Sequence, residues 1–246
     1  MEVLRDLSSV SADPTTGSAV TIGAFDGVHL GHRAVFRRLR EEATPRGLRA
    51  ALVTFDRHPA EIVRPASAPC RLTDLDQKLE LLEECGDLDL VAVLDFDENR
   101  RGESAEAFVE EVLVAALRAR LVVVGRDFHF GHERKGNVSL LTDMGEALGF
   151  EVIGLDLVRP ETGEDGGGVP VSSTLVRRLI AGGEVGEAAL LLGRAHELCG
   201  TVVSGLRRGR ELGFPTANVA VAPGACSPRE GVYAGTLRAA DGVERA

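Results

Sequence analysis

The sequence predicts an α/β protein, a parallel doubly wound sheet followed by a smaller β module, and three observations carry that expectation. Five apolar runs rich in β-branched residues begin at residues 19, 49, 89, 120 and 150, and steps of roughly thirty to forty residues fit one strand–helix unit each. Segments with helical spacing of apolar residues separate the runs. Beyond residue 155 the pattern changes to short strands punctuated by glycine and proline clusters.

In chain order, the first strand is expected over 19–25 and is followed by a helix carrying Val35 and Leu39 on one face. The second run, 49–55, leads to a helix with Leu75, Leu79 and Leu82 in register, for which Thr73 is the expected cap. The third run, 89–96, precedes Phe108, Val112, Leu113 and Leu117, a helical spacing that starts after Ser104. Runs 120–125 and 150–155 complete the sheet. Residues 161–168 (ETGEDGGG) cannot pack and are expected to form an exposed loop. Ser172 and Ser173 then cap a helix bearing Leu175, Val176, Leu179 and Ile180, which Gly182 and Gly183 end. A short helix over 184–194 leads to three expected strands, 200–204, 217–221 and 232–237. The resulting division is 1–183 and 184–246. Three short strands bury little apolar area and leave open edges, so the second unit is expected to be incomplete.

Composition removes several function classes. The 246 residues carry 28 basic and 38 acidic side chains, a net charge of −10, so the surface repels nucleic acid and anionic lipid. No run of 18 apolar residues occurs, and Glu2 and Asp6 stand where a signal peptide needs a basic start. A cytoplasmic protein with no membrane or nucleic-acid partner is the expectation, and a homo-oligomer is compatible with it. Cys70, Cys85, Cys199 and Cys226 are isolated, without the paired spacing of a zinc or dithiol site.

Residues 21–32 read TIGAFDGVHLGH, a strand running into glycines at 23, 27 and 31 and then into a helix. Neither the dinucleotide fingerprint nor the Walker loop is present. His29 and His32, three apart at a helix start, put two imidazoles on one face where free N–H groups and the helix dipole favour an anion. Phosphate is the chemistry this suits. A pair of surface histidines, or a metal pair lacking a third ligand, is the plainer alternative.

The HLGH segment resembles the HxGH signature of the nucleotidyltransferase superfamily. Residues 54–59, TFDRHP, are similar to the TFxPHP pattern of bacterial FMN adenylyltransferases, with Arg57 where proline is usual; residues 125–131, GRDFHFG, and 172–177, SSTLVR, resemble two further motifs of that family. Four motifs in order identify the chain as a member of the prokaryotic bifunctional riboflavin kinase/FMN adenylyltransferase family. The resemblance implies a Rossmann-like nucleotidyltransferase domain, ATP and FMN as substrates, FAD as product, Mg²⁺ as cofactor, and the following roles. His29, His32 and Arg177 act on the phosphates; Gly23, Phe25, Asp26, Gly31, Ser172, Ser173 and Thr174 bind ATP; His58, Asp127, Phe128 and Phe130 bind flavin. Phe128 and Phe130 serve equally well as core plugs, and His129 and His132 match no family motif.

Residues 205–218, GLRRGRELGFPTAN, resemble the riboflavin kinase signature. The resemblance makes Gly205, Gly209, Gly213 and Pro215 the nucleotide loop, with Thr216 and Asn218 as oxygen ligands of Mg²⁺. It implies an antiparallel β-barrel of which 184–246 is the opening part, and because the family's glutamate base has no counterpart here, riboflavin phosphorylation is expected to be undetectable. Competing readings are a nucleotidyltransferase with another phosphate acceptor and a non-catalytic flavin or nucleotide binder; a tRNA-related role is disfavoured by the net charge.

Overall fold

The computed structural model describes residues 1–7, 17–156, 170–205, 213, 216–239 and 244–245. The expected loop at 161–168 and, in the second glycine-rich segment, Gly209 and Pro215 lie outside the described residues.

All five expected runs are strands. They are β2 (Ser18–Ile22), β3 (Arg49–Phe55), β4 (Leu90–Leu94), β5 (Ala119–Gly125) and, after a small hairpin of β6 (His129–Phe130) and β7 (Gly136–Asn137), β8 (Glu151–Leu155). A sixth, β1 (Glu2–Leu4), pairs in parallel with β4 and was not expected. All neighbours in the sheet are parallel, in the order β1-β4-β3-β2-β5-β8. That order runs outward in both directions from β2, so the crevice beyond the carboxyl ends of β2 and β5 is the switch point at which doubly wound sheets bind ligands.

Alternation along the strands builds two core layers. Val20, Ile22, Val53 and Val124 face one side with Phe108, Val112 and Leu113, whereas Ala19, Leu52, Val93 and Leu121 face the other with Phe36, Leu39 and Leu82. The second layer is covered by α1 (Leu30–Ala43) and by α3 (Leu75–Cys85), which follows the short α2 (Ala60–Val63). The first is covered by the helix that follows α4 (Glu98–Gly102): α5 (Ala105–Phe108), capped by Ser104 as expected, which continues as a π-helical stretch, Val109–Ala116. One cap differs from expectation. Asp74, not Thr73, caps α3 through a reciprocal pair of bonds with Gln77, and Thr73 is left to donate to Asp26.

After α6 (Val138–Leu148) and β8, the chain forms α7 (Ser173–Gly182), capped by Ser172 and ended at Gly183, and α8 (Val185–Leu192). The short strands then pair antiparallel: β9 (Gly200–Val203) with β10 (Asn218–Val221), and β11 (Leu237–Arg238) with β12 (Glu244–Arg245). The strand expected over 232–237 is corrected, since 232–236 carries no ladder and Val232 is fully exposed. An apolar run without a layer above it gains too little to hold a strand.

Candidate active site

The loop between β2 and α1 turns at the switch point, and its backbone is strained. Phe25 (φ 48°) and Val28 (φ 39°) are left-handed without being glycine, which for a β-branched residue is an outlier of the kind that collects at functional sites. Between them Gly27 (φ 84°) leaves no room for a side chain, because a Cβ there would come within 2.7 Å of Leu72. The turn delivers His29 as the N-cap of α1, its Nδ1 accepting the His32 N–H at 3.3 Å. That bond puts the His29 proton on Nε2.

The two imidazoles stack, centroids 3.5 Å apart and planes 20° from parallel, and Phe25 closes edge-on against His32. Burial lowers the pKa of His29 to about 4, partly opposed by Asp26, and burial together with His29 lowers that of His32 well below the ordinary value. Both are therefore neutral donors at neutral pH. His32 Nδ1 is buried and has no partner among the described residues, a cost that a ligand oxygen would remove. Gly31 keeps the opening narrow and close to α7: a Cβ there would meet the His29 ring at 3.1 Å and the Val171 carbonyl at 3.3 Å. The starts of α1 and α7 thus lie side by side, each with the free N–H groups of a first helical turn.

Asp26 organises the opposite wall. Its buried carboxylate accepts from the Leu72 and Thr73 N–H groups at 3.0–3.1 Å and from the Thr73 hydroxyl at 3.2 Å, and it pairs with Arg177. Arg177 Nε also donates to the Cys70 carbonyl at 2.6 Å. Ser173 donates to the Asp26 carbonyl at 2.9 Å, while the Ser172 hydroxyl accepts the Leu175 N–H. Asp26, Ser172 and Ser173 are thus bound up in holding loop, 70–73 segment and α7 together, and Thr174 is exposed at the helix mouth. Gly23 lies against the Phe25 ring.

Sequence alone does not single out Lys78, although it lies three residues after Leu75 and four before Leu82, on the buried face of α3. It is buried, and its ammonium donates to the Ala24 carbonyl (3.3 Å), Thr54 hydroxyl (3.1 Å) and Phe55 carbonyl (2.8 Å). All three acceptors are neutral and lie at the carboxyl ends of β2 and β3. Burial lowers its pKa to about 8, against the pull of Asp26 and Asp56. His58 follows Thr54 by four residues in the same segment: its Nδ1 accepts the Ala60 N–H at 3.1 Å, and burial followed by Arg177 lowers its pKa. Arg57 points outward and pairs with Asp56.

The residues expected to contact flavin separate into two kinds. Phe130 is buried against Phe108 (5.7 Å), and Phe128, half-buried, stacks on Phe130 at 5.3 Å. Asp127 is exposed, and its carbonyl is paired with His129 Nδ1. His132 is exposed beside Arg101. A further cleft of about 550 Å³ opens beyond β1 and β4, lined by Asp95, Asp97, Glu103 and Glu111 among others; so many carboxylates suit a triphosphate poorly.

In the second glycine-rich segment, Gly205 packs against Asn218, whose amide a Cβ would meet at 2.3 Å, and Gly213 (φ 80°) is exposed. Thr216 lies two residues before β10 rather than on it. Beyond β10 the chain is fastened to the sheet domain by Arg71, which donates its N–H to the Gly224 carbonyl and accepts from the Cys226 N–H, both at 2.7 Å; within the second unit, His196 Nε2 lies 2.7 Å from the Cys226 carbonyl.

Comparison with known proteins adds the following. A family model described as FAD synthetase matches residues 11–174, and one described as riboflavin kinase matches residues 192–245. The bifunctional riboflavin kinase/FMN adenylyltransferase of Escherichia coli K12 is 40% identical over 234 residues, covering 95% of this chain and 72% of the relative. Proteins of the same description from Haemophilus influenzae and Pseudomonas fluorescens are 35% and 38% identical, covering 98% and 89% of this chain and 76% and 68% of theirs. A solved Streptococcus pneumoniae structure described as a macrolide-efflux protein superposes with a TM-score of 0.76 at 27% identity, over 99% of this chain and 81% of that one. No helix among the described residues is long and apolar enough to cross a membrane.

Proposed function

Because the chain belongs to the family of bifunctional riboflavin kinase/FMN adenylyltransferases and makes FAD from FMN and ATP, we propose that His29 and His32 are the phosphate-binding centre of that reaction. An FMN phosphate oxygen attacks the α-phosphorus of ATP, the bond to the bridging oxygen breaks, and pyrophosphate leaves. The nucleophile is already an anion, so alignment and charge stabilisation suffice. The observation that carries the reading is the stacked, buried pair of neutral imidazoles at the N-terminus of α1, with His32 Nδ1 unpartnered.

Arg177 and Lys78 supply the positive potential. Arg177 is a phosphate ligand in this reading, with the Asp26 pair aiming its guanidinium, and Lys78 sits behind the ends of β2 and β3 with no bonded carboxylate. Gly23, Phe25, Gly31, Ser172, Ser173 and Thr174 form the nucleotide's surroundings, Asp26 acting through Arg177; His58, Asp127, Phe128 and Phe130 line the flavin side. Residues 1–183 form the transferase module and 184–246 the kinase module. The family matches over 11–174 and 192–245 are what supports placing the boundary between them.

Mg²⁺ is part of the proposal. Thr216 and Asn218 offer a hydroxyl and an amide oxygen, hard donors that fit the ion, and Gly205 leaves the space that the Asn218 amide fills. When bound, the ion neutralises phosphate charge. At the histidine pair Asp26 is already saturated, so there the ion would arrive on the triphosphate. Free thiols at all four cysteines suit a cytoplasmic enzyme.

The test is initial-rate FAD formation with pyrophosphate release from FMN and saturating MgATP. His29→Ala and His32→Ala are each expected to lower kcat by about 10²–10³-fold. Wild-type turnover in either variant would remove the assignment.

A further inference from the structure

We propose that Arg194, which lies in the segment matched by the riboflavin kinase model, is a positioning residue of the adenylyl-transfer site. It acts through the Gly27 carbonyl, and the inference rests on the assignment of that site to the histidine loop. Arg194 Nη2 donates to the Gly27 oxygen at 2.9 Å, two residues before His29. The amide of the same glycine is held by the Thr73 hydroxyl at 3.2 Å. Both polar groups of the turn's central residue are thus fixed from outside the loop, one of them from beyond α8.

The arginine is held at a cost. Among the described residues its buried Nε has no partner, and Nη1 reaches only the Leu192 carbonyl at 3.5 Å. Burial, then Arg33, works against its charge, while Glu197, Glu84 and Cys85 favour it. Among the described residues no side-chain carboxylate is bonded to it. An unpartnered buried donor is unfavourable, and the bond gained in return goes to the loop strained at Phe25 and Val28. Its backbone is placed from both sides. Gly193 (φ 71°) lies against Leu30, the first residue of α1, where a Cβ would come within 2.7 Å, and Leu192 is buried with Val176 and Ile180 of α7. Arg194 therefore follows a segment packed on the first residue of α1 and on the buried face of α7, and it holds the carbonyl two residues before His29.

A structural tie alone would change stability in proportion to lost contacts; a positioning role changes the rate of the folded enzyme. The full chain is compared as wild type, Arg194→Ala, Arg194→Gln, Arg194→Lys and His29→Ala, with kcat normalised to the folded fraction and KM for ATP and FMN measured separately. Arg194→Ala and Arg194→Gln are expected to lower kcat by about 10–10²-fold, the scale of a loop displaced by about an ångström, with smaller changes in either KM. Arg194→Lys, which keeps one donor for Gly27, and added guanidinium with Arg194→Ala are expected to recover most of the loss. If the alanine variant fails to fold, the glutamine and lysine variants give the same comparison. Wild-type kcat per folded molecule in the neutral variants overturns the inference while a slow His29→Ala leaves the site intact. Wild-type kcat in His29→Ala removes the site, and the inference with it.

Discussion

The central strands β2 and β3 and the outlying pair β9–β10 are built from similar residues, yet one set is sealed and the other open. Every residue of β2 and the five interior residues of β3 are buried. All four residues of β9 are exposed, Val202 by 62%, and so are three of the four in β10. Both sets have complete ladders. Hydrogen bonding therefore decides that a segment is a strand, and the layers above and below decide what it contributes to stability. The candidate site belongs to the sealed region, at the point where β2 ends and two helix starts meet.

The largest expected effect breaks the sealed region at its buried ion pair. Asp26→Ala leaves the Arg177 guanidinium buried without its carboxylate and frees the 70–73 segment, a loss of about 3–5 kcal/mol, read as a shift in the urea midpoint. Next, Leu52→Ala on β3 opens a cavity in a fully buried layer and is expected to cost about 2–5 kcal/mol, whereas Val202→Ala on β9 should stay within about 0.5 kcal/mol. Equal losses at Leu52 and Val202 would erase the distinction between the two regions.

The same contrast explains what was legible in the sequence. The run at 49–55 is β3 to the residue, since apolar β-branched runs mark strands buried on both faces. β1 was invisible because three residues show no period, and the expected strand at 232–237 failed because its apolar residues meet no covering layer. In the site, the glycine spacing and the histidine pair were legible, since helix-start chemistry is local. Lys78 and Arg194 were not. Their roles come from contacts 23 to 167 residues away along the chain, and no local pattern shows which acceptors those contacts reach. Thr73 is the cap expected from sequence, yet Asp74 accepts the Gln77 N–H at the start of α3 and leaves the Thr73 hydroxyl for Asp26.

The pH behaviour of His29 and His32 follows from their burial. A histidine whose folded pKa is lowered to about 4, against 6.5 when unfolded, adds no penalty above pH 6.5 and destabilises the fold progressively as pH falls from 6.5 towards 4. A bound triphosphate favours the charged form and must move that transition upward. The direct measurement is an NMR titration of the imidazole Cε1–H resonances of the full chain, alone and with MgATP. The account predicts that both rings titrate below the ordinary histidine value in the free protein, His29 at about 4, and that nucleotide raises both pKa values. Titration curves unchanged by nucleotide would contradict a triphosphate held by this pair.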